Sequence, residues 1–129
     1  MVATLPVRSR VREELINIDG LIADFVKKAG VSEGTLTVFV PHTTAGVTIN
    51  ENADPTVAED IVRGLGRIAP LRDGYRHREG NSDAHIKSSL VGHSATIIVS
   101  EGKPLLGTWQ SVYFCEFDGP RNRSVILRI

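Results

Sequence analysis

The stretch Thr96–Ile129, TIIVSEGKPLLGTWQSVYFCEFDGPRNRSVILRI, decides the fold class. It contains three runs rich in β-branched and aromatic residues, Thr96–Val99, Gln110–Phe117 and Ser124–Ile129. Turn residues divide them at Glu101-Gly-Lys-Pro104 and Asp118-Gly-Pro-Arg121. No helical period interrupts the series, so the three strands follow one another through short connections and are expected to pair antiparallel. A doubly wound parallel sheet would need a helix after each strand and is excluded.

Outward from that stretch, helices enter. Ser82, with Asp83 behind it, opens a short helix carrying Ile86, Leu90 and Val91 and stopped by Gly92. Asp54 before Pro55 sets an N-cap ahead of a second helix whose apolar face is Val57, Ile61, Leu65 and Ile68. Asp19 caps a third, with Leu21, Ile22, Phe25, Val26 and Ala29 at helical spacing and Gly30 as its end. Thr35–Val40 and Gly46–Asn50 read as strands around the loop His42-Thr-Thr-Ala45, and Ala3–Ile18 as one interrupted edge strand. The polar segment Leu71–Asn81 reads as a long loop of the kind that carries function. The expected class is α+β: a compact single-domain mixed or antiparallel β-sandwich with three short helices, spanning residues 1–129.

Composition narrows the function. Fifteen Lys and Arg balance fifteen Asp and Glu, so there is no bulk field for a polyanion, and a general nucleic-acid binder is disfavoured. No apolar run is long enough to cross a bilayer and the N-terminus lacks signal-peptide character, so a cytoplasmic protein without membrane contact is expected. The single cysteine, Cys115, cannot form an internal disulfide and leaves any metal site to histidine and carboxylate. Zero net charge and few aromatics lean toward self-association.

Four histidines, His42, His77, His85 and His93, fall in turns and helix ends. His42 leaves a sheet rim beside the small hydroxyl residues Thr43 and Thr44, a position that suits a ligand, a general base or a rim histidine bonded to backbone. His77 in the loop and His85 one turn into the helix can converge on one ion, although their spacing matches no standard zinc signature, and His85 packed on the sheet is the alternative. His93 reads as a partner for a helix C-terminus. Glu51 is either a proton carrier or a solvated turn residue. The run from Glu79 to Ser82 reaches a helix N-terminus, which favours an anion or is simply capped. Trp109 with Gln110 could stack on and read a flat ring, but a lone Trp more often anchors a core or an interface. Cys115 alternates with Tyr113 and Phe117 and reads as a buried small hydrophobe.

The segments HTTAGVTINENADP (42–55), HREGNSDAHIKSSLVG (77–92) and GTWQSVYFCEFDGPR (107–121) resemble the YjbQ-like family, named secondary thiamine-phosphate synthase enzymes. The resemblance implies a homotrimer with histidines gathered in a pocket that can hold a divalent metal. Carried over by position, the ligands would be His42, His77 and His85, with Glu51, Glu79, Asn81 and Trp109 nearby. It also implies a weak synthase activity joining an aminopyrimidine methyl diphosphate to a thiazole phosphate. Imidazoles suit zinc, whereas the diphosphate leaving group would call for magnesium and cations. Lys87, Arg76 and Arg121 are candidates for the cations, with Thr43, Thr44, Ser82, Lys87, Trp109 and Gln110 as the expected substrate contacts. Glu51, Glu79 and Asn81 are the expected catalytic set. Competing readings are a metal-dependent hydrolase and a non-catalytic metal- or ligand-binding trimer.

Overall fold

A computed structural model describes residues 1–129. The elements are β1 (Val2–Arg8), β2 (Glu14–Asn17), α1 (Asp19–Ala29), β3 (Gly34–Phe39), β4 (Ala45–Glu51), α2 (Pro55–Ile68), α3 (Ser82–Val91), β5 (Ser94–Ser100), β6 (Lys103–Pro104), β7 (Gln110–Glu116) and β8 (Asn122–Arg128). They form two antiparallel sheets, one in the order β1-β8-β3-β5-β6 and one in the order β2-β7-β4. The class is α+β, as the strand-rich C-terminal third requires.

The core lies between the sheets because each strand alternates. Leu36 and Val38 of β3, Ile97 and Val99 of β5, and Val125 and Leu127 of β8 face Val47 of β4 and Val112 and Phe114 of β7. α1 closes one side with Ile22, Phe25 and Val26. The opposite parity of β7, Tyr113 and Cys115 with Phe117 just beyond, faces outward onto Ala84 of α3, with Leu65 of α2 packed against that cluster. α3 reaches the sheet because β4 carries Gly46: a Cβ there would lie 2.6 Å from the Gly92 carbonyl oxygen. That carbonyl accepts the Val47 N–H at 3.1 Å, so the end of α3 covers the edge of β4.

Several expectations are corrected. The last three long strands are antiparallel but do not pair with one another: β5 pairs with β3, β7 with β2 and β4, and β8 with β1 and β3. Their short connections cross between layers, which a turn signal does not encode. Residues Ala3–Ile18 form two strands in different sheets, separated where Ser9 is drawn into the interior and exchanges bonds with Arg121: its N–H donates to the Arg121 carbonyl at 3.1 Å, and its Oγ accepts the Arg121 N–H at 2.9 Å. Asp19 does not cap α1. Ile18 holds the N-cap position, and the Asp19 carboxylate accepts the Val112 N–H at 2.8 Å, tying the helix to β7. α3 does open at Ser82, as expected, with Asn81 at the N-cap position but its side chain engaged elsewhere. The Asp54 cap is present, its Oδ1 accepting the Thr56 N–H at 2.9 Å. The short strand β6 lies where a turn was expected.

Candidate functional site

A pocket of about 830 Å³ opens at one end of the sandwich, and none of its thirteen lining residues is hydrophobic. Three segments build it: the loop after β3, with His42, Thr43 and Thr44; the approach to α3, with His77, Glu79, Asn81 and His85; and the turn into β8, with Asp118, Arg121 and Arg123. Arg12, from the loop between β1 and β2, completes the rim.

The floor follows from strand parity. Val112 and Phe114 point between the sheets, so Glu116, two residues on, points there too; Leu127 and Val125 bring Arg123 inward in the same way. The two charges meet across the sheets: Arg123 Nη2 donates to Glu116 Oε2 at 2.5 Å and to Thr44 Oγ1 at 2.8 Å. Ser9 Oγ donates to Glu116 Oε1 at 2.6 Å. Burial pushes the Glu116 carboxyl up, but the bonds from Arg123 and Ser9 outweigh it and hold the group below its ordinary value.

The other two arginines are also clamped, each by its own carboxylate. Arg12 makes a forked pair with the fully buried Asp83, at 3.0 and 3.2 Å. Arg121 bonds Asp118 through the carbonyl at 2.8 Å and through Oδ2 at 2.9 Å. Such guanidinium groups are pre-oriented and retain N–H edges for a ligand, while the charge around them is largely balanced. Lys87, expected to touch substrate, instead pairs with Asp83 at 2.9 Å and with Glu13, almost wholly buried behind Arg12.

The histidines divide. His77 and His85 meet edge to face, with ring centroids 5.5 Å apart, and His77 Nε2 lies 3.9 Å from Glu79 Oε2. His42 stands apart in role. Its Nε2 accepts the Ser124 N–H at 3.0 Å, which leaves Nδ1 as the protonated nitrogen of the neutral ring. Burial, and then the charge of Arg123, hold the His42 pKa below its ordinary value. Its free lone pair is thus already committed, and no three side chains among His, Cys, Asp and Glu gather as a ligand set. Asn81 Nδ2 donates to Asp118 Oδ2 at 2.8 Å, and its Oδ1 is a buried acceptor without a donor.

Of the other expected site residues, Ser82 lines a second cavity beside the first. Glu51, Trp109 and Gln110 lie at the far end of the strand pair: Glu51 is opposite Gln110, whereas Ala45 at the pocket end is opposite Glu116. Six residues of strand separate the two ends, about 20 Å. There Trp109 is 64% exposed and the Gln110 side chain accepts the Gly107 N–H. His93 lies outside the pocket, near Ser88. Cys115 is wholly buried and its thiol is pushed up to about 12 by burial, as suits a structural residue. Arg12, Asp118 and Arg123 escaped the sequence reading. For Arg123 the signal was present, because a charge at the inward parity of Val125 and Leu127 demands a buried partner.

Comparison with known proteins gives a consistent result. The family model described as "UPF0047 protein YjbQ-like" matches residues 3–129. A UPF0047 protein of Methanocaldococcus jannaschii is 53% identical over 123 residues, 95% of this chain and 89% of that protein. UPF0047 protein YugU of Bacillus subtilis is 45% identical over 130 residues, covering 100% and 98%. Among solved structures, a YjbQ/UPF0047 family protein of Clostridium acetobutylicum superposes with a TM-score of 0.96 at 50% identity, covering 98% of each chain.

Proposed function

The chain belongs to the YjbQ-like UPF0047 family, and on that premise we propose that it is an enzyme of small phosphorylated substrates, of the thiamine phosphate synthase type named above. The observation that carries the reading is the wholly polar pocket of about 830 Å³, a volume suited to a small molecule. Arg12 and Arg121 offer their remaining N–H edges to phosphoryl oxygens, and the His42 Nδ1–H adds a neutral donor. Glu79, beside His77, is the group placed to move a proton. Asn81 Oδ1 awaits a donor, which orients whatever binds.

A divalent ion fits part of this donor set. Two imidazoles and the orphaned Asn81 oxygen would hold zinc, with Glu79 within reach of His77, whereas His42 is excluded by its bond to Ser124. Magnesium fits less well, because Asp83, Asp118 and Glu116 are all committed to arginines. When bound, such an ion supplies Lewis-acid polarisation of a phosphoryl or carbonyl oxygen. In a calorimetric zinc titration, His77→Ala and His85→Ala should each weaken binding about 100-fold or more, and His42→Ala should change it little. Unaltered affinity in His77→Ala would overturn the assignment.

The enzymatic reading is tested by offering the purified protein the two thiamine precursors and, separately, phosphate esters. Turnover of the precursors that is lost in His85→Ala supports it; inertness toward both substrate sets overturns it. The same proposal includes a cytoplasmic homotrimer, which the exposed Phe39, Ile98, Leu105 and Trp109 support by presenting apolar surface to a neighbour. No helix is long and apolar enough to cross a membrane. Sedimentation equilibrium should give about three times 14.0 kDa, and a mass near 14.0 kDa at micromolar concentration would refute the trimer.

A further inference from the structure

We propose that the site is bipartite: a second cavity, on the other side of the His77–His85 pair, takes the ring-bearing part of a substrate whose phosphorylated part lies in the polar pocket. This second cavity holds about 470 Å³, and both histidines line both cavities. They form the partition between the two spaces.

The two sides differ in chemistry. The first has no hydrophobic lining residue; the second adds Tyr75 and Ile86, with Arg76 and Ser82 at its polar margin. Ser82, His85 and Ile86 stand at i, i+3 and i+4 on α3, so one face of the helix presents the partition and the apolar wall together. The opposing wall is fixed, because the Tyr75 hydroxyl donates to the Pro70 carbonyl at 2.7 Å and so holds the ring in place. An aromatic face, a branched aliphatic group and one guanidinium at the margin suit a planar ring with a polar substituent. A ligand spanning both spaces brings the bond between its ring-bearing and phosphorylated parts alongside two imidazoles. The polar pocket alone offers a ring nothing to pack on, and Trp109, the aromatic singled out in the sequence, lies at the far end of β7.

The inference rests on the reading of the first pocket as a phosphate site, and the test separates the two. Side-chain NMR signals of the intact protein are followed during titration with inorganic phosphate, benzyl alcohol and benzyl phosphate. Phosphate should move His42 and Asn81 but not Ile86; benzyl alcohol at millimolar concentration should move Tyr75 and Ile86; and His77 and His85 should respond to both. Benzyl phosphate should bind about tenfold or more tightly than phosphate, as expected for burial of a ring. Tyr75→Ser and Ile86→Glu, both at solvent-accessible positions, should abolish that gain and leave phosphate affinity unchanged. Equal affinity for phosphate and benzyl phosphate, or a gain that survives both substitutions, would overturn the ring site. A response of Ile86 to benzyl alcohol with none of His42 or Asn81 to phosphate would support the ring site and overturn the phosphate reading instead.

Discussion

The paired strands β4 and β7 carry a glutamate near each end, and the two ends have opposite characters. Glu116 lies between the sheets, fully buried, bonded by Ser9 and by Arg123, which lines a polar pocket. Glu51 sits about 20 Å away along the strand direction, partly exposed, where its backbone carbonyl accepts the Tyr113 hydroxyl at 3.2 Å. Parity and a partner on the facing sheet make the difference. A carboxylate becomes part of a site when another strand brings a cation to the same inward position, and chain neighbours alone do not reveal that.

The sharpest way to break this contrast is to remove the cation. Arg123→Ala leaves Glu116 buried without its counter-charge and should lower unfolding free energy by about 3–5 kcal/mol in a denaturant titration. A loss below about 1 kcal/mol would show that the pair contributes little to holding the two sheets together. The pH dependence follows from the same pair. Glu116 is held below its ordinary value in the folded chain, so its contribution is complete above about pH 4.5, the unfolded range, and is lost as pH falls through the lowered folded value. Asp83, held low by Arg12 and Lys87 against the upward push of burial, acts in the same direction. Glu116→Gln should therefore flatten the acid limb of a stability–pH curve; an unaltered limb would assign acid sensitivity to other groups.

Beside Glu116 on β7, but on the opposite face of the strand, the contrast can be sharpened with a smaller change. Cys115→Ser places a hydroxyl in a wholly buried position and should cost about 1–3 kcal/mol while leaving ligand binding at the pocket intact. Loss of binding in a folded Cys115→Ser protein would mean that the two faces of β7 communicate through the strand. At the far end the effects should be smallest: Glu51→Gln and Trp109→Ala should each change the stability of the isolated chain by less than about 0.5 kcal/mol. Abolished zinc or phosphate binding in either variant at chain concentrations that keep it monomeric would place that end in the site after all.

Periodicity made much of the fold legible. The class, the Asp54 cap with Pro55, the Gly30 stop and the strands around His42-Thr-Thr-Ala45 all follow from local signals. Pairing order did not, because a strand's inward face shows in its sequence while its neighbour in the sheet does not. Part of the site was legible for the same reason. His77, Glu79, Asn81 and His85 are close in sequence around one loop and helix start, and they do line one pocket with His42. Arg12, Asp118 and Arg123 reach it only through long-range packing, and Lys87 is withdrawn from it by partners on other elements.

The position of β8 has a consequence for how the protein is made. This strand lies between β1 and β3, so the last strand of the fold in chain order is an interior strand of the five-stranded sheet. Until it emerges, β1 has no partner and β3 exposes an open edge, and the contacts that close the sheet span almost the whole chain. Arg123 arrives on the same strand, so the pocket floor cannot assemble before β8 has emerged. Closure of the sheet is thereby held back until β8 has emerged, and nascent chains are most vulnerable to aggregation before that point. A chain stalled before Asn122 should be cleaved by protease within β1, and one stalled with β8 well clear of the exit tunnel should resist.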